Sequence, residues 1–278
     1  MNTLNFSLLV WFGSLGAGFL GALTGLGGGV VLVPFLTVVF GVDIHYAIGA
    51  SLVSVIATSS GAASAYVKEG YTNLRLGMFL EMATTFGAIA GAIVAAKIST
   101  GTIAVVFGIV LLYSAYLSRQ PHSENTVILP PDPLATRLNL NSTYPTKTGE
   151  ESYNVRGVSL GFGLMFVAGI LSGLLGIGSG AFKVLAMDQV MHIPFKVSTT
   201  TSNFMIGVTA AASAGIYLSR GYIDPGLTMP VMLGVLFGAV LGARLLIEAK
   251  VTLLRNIFSG VILVLALEMI YKGLTGRL

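Results

Sequence analysis

The chain has 278 residues, 54% of them hydrophobic and only 9% charged, with a mean hydropathy of +0.87, whereas soluble domains carry about 25% charged residues. That composition excludes an ordinary soluble domain and defines an integral membrane protein, because apolar stretches long enough for a ~30 Å hydrocarbon core recur from end to end. The net charge of +4 comes without a basic face interleaved with aromatics, which argues against nucleic acid as a partner. No Cys and three scattered His leave no disulfide, thiolate chemistry or metal-ligand spacing.

The N-terminal stretch MNTLNFSLLVWFGSLGAGF lacks the positive region of a signal peptide and reads as a retained first span, Asn5–Leu23. Apolar segments follow at Val30–Phe40, Ala47–Tyr66, Leu76–Ala96 and Thr102–Leu117. The composition then breaks. Residues 118–156 hold five of the nine prolines, eight charges and the polar run NLNSTYPTKTGEES, as a solvated linker would. A second set of segments runs through Gly157–Leu175, Ala181–Met191, Val197–Ser219, Leu227–Ile247 and Leu253–Leu274.

The two sets are copies. A shift of 151 residues places Gly25, Gly27 and Gly29 on Gly176, Gly178 and Gly180, and Ser51 on Ser202. Without a gap, it also places Tyr66, Gly70 and Tyr71 on Tyr217, Gly221 and Tyr222, and GAIAGA at Gly87–Ala92 on GAVLGA at Gly238–Ala243. The chain therefore divides into a first transmembrane repeat (1–117), a polar Pro-rich linker (118–156) and a second repeat (157–278). If all five segments of each half cross, Lys and Arg divide ten to four with the linker on the richer side; if the short segments dip in and return, nine to five. The positive-inside rule prefers the first arrangement, an inverted five-plus-five repeat with a cytoplasmic linker.

Val30–Phe40 has 11 residues, about 16 Å of helix and too little to cross alone. The glycine-rich turn before it, GALTGLGGG, is therefore expected inside the membrane, where non-helical backbone is tolerated only when buried in protein or lining a cavity. GIGSGA at Gly176–Ala181 matches a dinucleotide-binding pattern, but a long apolar helix precedes it instead of a short strand, so that reading fails. The functional alternative is that the paired breaks expose backbone N–H groups and helix N-termini to an anion. The ordinary alternative is close helix packing, which is the better explanation for Gly87/Gly91 and Gly238/Gly242.

The candidate anion site thus comprises Gly27, Gly28 and Gly29 of the first turn, and Gly178, Ser179 and Gly180 of the second. Hydroxyls cluster in the segment that follows each turn. Most are expected to bond back to their own helix, but Ser51 and Ser202 occupy equivalent depth, and Asn203 lies beside the latter. Lys183 and Glu81 are the ionisable residues deepest in apolar segments, which marks both as functional candidates. Lys183, three residues after Gly180, can add positive charge to the site, or pair with Asp188, or snorkel. Glu81 suits a proton-coupling carboxylate or the partner of a basic residue.

The motifs GALTGLGGGVVLVPFL, AIGASL, GLLGIGSGAFKVLAM, VSTTTSN and SRGYID, with the duplicated layout and the charged central loop, resemble the sulfite exporter TauE/SafE family of membrane transporters over essentially the whole chain except the linker. The chain departs from the usual pattern in carrying Ser179 where glycine is common and Leu185 where proline is common. The resemblance implies transport of sulfite or organosulfonates such as sulfoacetate across the bacterial cytoplasmic (inner) membrane. The expectation is therefore an all-α secondary transporter without a cofactor, working by alternating access, with an anion-selective channel as the alternative. The coupling ion, H+ or Na+, and a homo-oligomeric state stay open.

Overall fold

The computed structural model describes residues 3–24, 28–68, 70–118, 132–146, 149–246 and 251–276. Among them the first half contributes α1 (Thr3–Thr24), α2 (Gly29–Val39), α3 (Ile44–Lys68), α4 (Leu74–Ala95) and α5 (Thr100–Ser118). The central stretch forms α6 (Pro133–Arg137) and an antiparallel hairpin, β1 (Ser142–Thr146) with β2 (Gly149–Tyr153). The second half contributes α7 (Val158–Leu175), α8 (Gly180–Leu185) continued by a π-helical turn (Ala186–Val190), α9 (Phe195–Ser219), α10 (Pro225–Leu246) and α11 (Val251–Thr275). This is an all-α polytopic membrane protein. By length and composition α4, α7 and residues 225–242 of α10 are sufficient to span a bilayer, and large apolar side chains such as Met78, Phe86, Leu160 and Phe237 face outward where lipid can cover them.

Helix boundaries repeat at the same 151-residue shift: α2 matches α8 plus its π turn, α3 matches α9, and α4 matches α10, each at both ends. The cause is local. Gly70 and Gly221 take φ of +77° and +76°, a conformation that ends a helix and favours glycine. Three residues later the side chains of Asn73 and Asp224 accept from the N–H groups of Leu76 and Leu227, capping α4 and α10.

Glycines decide how the helices meet. A Cβ added at Gly87 would lie 2.2 Å from the carbonyl oxygen of Phe166, and one at Gly169 2.2 Å from that of Thr84. At the equivalent crossing, Gly238 would meet Leu15 O at 2.1 Å and Gly18 would meet Val235 O at 2.3 Å. So α4 packs on α7 and α10 on α1 through bare backbone, as small residues allow in membranes. Residue order fixes direction. Gly87 and Gly91 meet Phe166 and Ile170, so α4 and α7 run parallel; Glu81 and Ala88 meet Thr209 and Ser213, so α4 and α9 run parallel too. Since α7 and α9 share a direction, the short segment Gly180–Val190 brings the chain back between them. By contrast, Gly49 packs on Tyr222 and Gly207 on Ser59, so α3 and α9 run antiparallel. Likewise Gly101 meets Gly273 and Gly108 meets Ala266, so α5 and α11 run antiparallel.

The linker departs from a purely solvated segment. Leu140, Tyr153 and Val155 are buried and share a core with Leu76, Leu80 and Met187. Asn73 anchors it: its amide donates to Leu140 O at 2.9 Å and to Tyr153 Oη at 2.8 Å, while its backbone N–H donates to Thr201 Oγ1 at 3.1 Å. Polar composition concealed this docking because a few apolar residues supply it. Burial pushes the Tyr153 phenol from 10.0 up to about 12. The folded state thus favours the neutral phenol. Its contribution is complete below pH 10 and lost as pH rises toward 12. Tyrosinate absorbance should therefore place this residue's transition near 12 in the folded protein, and Tyr153→Phe should remove that transition while costing about 1 kcal/mol through the unpaired Asn73 amide.

Candidate functional site

The second broken turn is built from left-handed residues. Gly176, Gly178 and Ser179 have φ of +69°, +68° and +49°. Two glycines supply this conformation without steric cost, whereas Ser179 holds it against the Cβ penalty. Its hydroxyl is buried with no hydrogen-bond partner among the described residues. A strained residue with an unsatisfied donor is costly unless something else uses it.

The start of α2 meets the second turn. A Cβ at Gly29 would lie 2.9 Å from Gly176 O and 2.7 Å from Ser51 Oγ, so only glycine lets α2 begin against the other half's turn. Ser51 Oγ, fully buried, donates to Gly176 O at 2.7 Å and ties α3 to that turn. Ser202 Oγ donates to Gly180 O at 3.2 Å from α9. Val55 and its 151-shifted mate Ile206 wall the space apolarly, each against Gly178 and against the first glycine of the adjoining short helix.

The structure therefore gathers Gly29, Ser51, Gly178, Ser179, Gly180 and Ser202 near the crossing of α3 and α9, whereas Gly28 faces Val235 of α10 and Gly18 of α1. Gly27 lies outside the described residues. Asn203 is half-buried on α9 beside Ser202. In this state both serine protons are spent on turn carbonyls, which spacing alone does not reveal. Neighbouring hydroxyls bond back to their own helices: Ser54 to Ala50 O, Thr58 to Ser54 O, and Thr199 to Phe195 O.

Lys183 is completely buried, and its ammonium sits 3.8 Å from Glu81 Oε2 while donating to Thr209 Oγ1. Of the two partners open to it from sequence, Asp188 and the membrane surface, neither is its nearest carboxylate contact. That contact is Glu81, on the other half of the chain. Thr209 in turn donates to Glu81 Oε1 at 2.6 Å, and Thr85 donates to the same oxygen at 3.2 Å. Thr209 escaped notice in sequence as a member of this system. The available signal was the repeat, which sets Thr209 on Thr58, a hydroxyl at the same depth in both halves.

Among the described residues, the start of α2 faces the second glycine turn inside a duplicated helical membrane protein. The chain matches the family described as Sulfite exporter TauE/SafE over residues 10–269 and belongs to it. It is 28% identical to the probable membrane transporter protein YunE of Bacillus subtilis, covering 98% of this chain and 99% of the relative. It is 29% identical to YdhB of the same organism, also described as a probable membrane transporter protein, over 82% and 83% of the two chains. A probable membrane transporter protein of Methanocaldococcus jannaschii is 25% identical over 91% of each chain. No solved structure matches significantly. All of these relatives are described as probable membrane transporter proteins.

Proposed function

We propose that this chain is a secondary transporter that moves small sulfur-containing oxyanions, sulfite or organosulfonates such as sulfoacetate, across the cytoplasmic membrane of a bacterium by alternating access. The observation that carries the reading is the contact of the start of α2 with the second turn, Gly29 on Gly176 with Ser51 bonded across. A sulfonate or sulfite presents tetrahedral or pyramidal oxygens that suit convergent N–H and O–H donors. The donors proposed are the backbone around Gly27, Gly28, Gly29, Gly178 and Gly180, and the hydroxyl of Ser179. Ser51, Ser202 and the Asn203 amide are within the same region and can turn to the anion once the turns part. Lys183 supplies positive charge one helical turn beyond Gly180. No chemistry is done on the anion.

Equivalent helices that touch, α3 with α9 and α5 with α11, run antiparallel. A two-fold axis lying in the membrane plane has this consequence, and it supports an inverted repeat in which one half rocks against the other with the linker on the cytoplasmic side. A channel would share the donors but could not accumulate the anion uphill at the expense of another ion's gradient.

Thermal stabilisation of the purified protein by a panel of sulfite, sulfonates, carboxylates and phosphate tests the substrate class. Sulfur oxyanions should stabilise it, with the effect reduced in Ser51→Ala and Ser202→Ala. Stabilisation by carboxylates alone would overturn the assignment. Ser179→Gly separates strain from binding: relief of the left-handed serine should raise stability by about 1 kcal/mol, while loss of the hydroxyl should weaken anion binding roughly tenfold. Accumulation of the anion in proteoliposomes above equilibrium, driven by an ion gradient, excludes the channel.

A further inference from the structure

The charge pair breaks the symmetry of the molecule. Shifted by 151, Lys183 corresponds to Leu32 and Glu81 to Met232, and Leu32 is wholly buried. The same packing position is thus filled by apolar residues in the other half, so architecture alone does not call for two buried charges, which are expensive to place there. The pair also lies at a mechanically central point. Thr209, which joins them, is within one helical turn of Gly207, where α9 packs on Ser59 of α3. Glu81 stands on α4, Lys183 on α8 and Thr209 on α9, so the cluster ties the first half to the segment that follows the second broken turn.

Its hydrogen bonding is incomplete. Glu81 Oε1 accepts from Thr209 and Thr85, but among the described residues Oε2 is buried with no hydrogen-bond partner and has only the ammonium at 3.8 Å. An oxygen in that position can take a proton without breaking an existing bond. A metal cation is disfavoured there by the ammonium. Other ionisable groups on the elements packed around Glu81 are few. The helix α7 has none, α9 carries Lys196 and Tyr217 near its ends, the π turn carries Asp188, α4 itself carries Arg75, and the docked hairpin carries Tyr144, Glu150, Glu151 and Tyr153.

We propose that Glu81 is the proton-binding site of the transporter, with Lys183 and Thr209 holding its ionised form until an anion reaches the second turn. The inference rests on the reading that the two turns bind an anion. With the site empty, Glu81 and Lys183 neutralise each other. An arriving monoanion leaves the cluster one negative charge in excess where the dielectric is low, and a proton on Glu81 restores neutrality, leaving Lys183 to the anion. Anion and proton then travel together, one with one, and the step carries no net charge.

The test uses ethanesulfonate, which stays ionised throughout the working pH range, so that any titration belongs to the protein. In proteoliposomes of the full chain, each ethanesulfonate entering should carry one proton, recorded by an internal pH dye, and an inward proton gradient should drive accumulation. Glu81→Gln keeps the shape and the threonine contacts and mimics the protonated carboxyl. In it, exchange of ethanesulfonate across the membrane should persist while proton uptake and gradient-driven accumulation fall at least ~10-fold, and binding should lose the roughly tenfold weakening per pH unit expected of the parent above the protonation range. Proton-coupled accumulation retained in Glu81→Gln, or parent flux that carries charge without protons, would overturn the proposal and leave anion transport intact. Absence of any saturable flux in the parent would instead remove the transporter reading and the coupling site with it. Because the proton count is taken on the parent protein, the proposal stays falsifiable even if the variant does not fold.

Discussion

Lys183→Leu should lower the stability of the folded protein by about 3 kcal/mol, because it leaves the Glu81 carboxylate buried without its counter-charge. Adding Glu81→Met should then recover most of that loss. The double variant imports the pair that the other half already carries, Leu32 and Met232, at equivalent positions, and exchanging a buried ion pair for apolar side chains of similar volume is often neutral or stabilising. Thermal unfolding in detergent of the parent, both single variants and the double variant forms a complete cycle. A positive coupling between the two sites is the expected result; losses that simply add would show that the two charges do not depend on each other. The same double variant should have lost proton coupling, which separates its structural recovery from its function.

Gly87→Val should prevent stable folding, with a cost of about 3 kcal/mol, since its first side-chain atom would lie 2.2 Å from the Phe166 carbonyl. Backbone on the opposing helix cannot move aside as a flexible side chain can, so α4 and α7 would be forced apart along their whole contact. Gly238→Val should behave alike, because it meets Leu15 O at 2.1 Å in the matching crossing of α10 and α1. Gly215 on α9 has no such neighbour within 4 Å, so Gly215→Ala should be neutral or stabilising by up to ~1 kcal/mol. The yield of monodisperse protein on size-exclusion chromatography, with melting temperature for the survivors, checks all three. Equal tolerance at Gly87 and Gly215 would mean that close backbone approach does not hold these helices.

Most helices were legible because their signals are local. Apolar stretches, positive-φ glycines and the caps at Asn73 and Asp224 act through neighbouring residues, and the segments read from hydropathy fall within three residues of the helices formed. The duplication was legible for the same reason, since one shift carries the turn glycine Gly70 onto Gly221 and the cap Asn73 onto Asp224. The linker was harder: its prolines and charges announced exposure, while the burial of Leu140, Tyr153 and Val155 depends on a receiving surface made by α4 and the π turn.

By itself, then, the sequence determined a helical membrane protein in two copies, each with a glycine-rich break before a helix too short to cross alone. It also singled out Lys183 and Glu81 as charges out of place. Only the tertiary structure decided that these two are partners, that Ser51 spends its proton on Gly176, and that Ser179 is left with a buried hydroxyl and no partner among the described residues. Such pairings depend on which faces α3, α4, α8 and α9 turn toward one another, and those faces are set by how closely bare glycine backbone lets helices from distant parts of the chain approach.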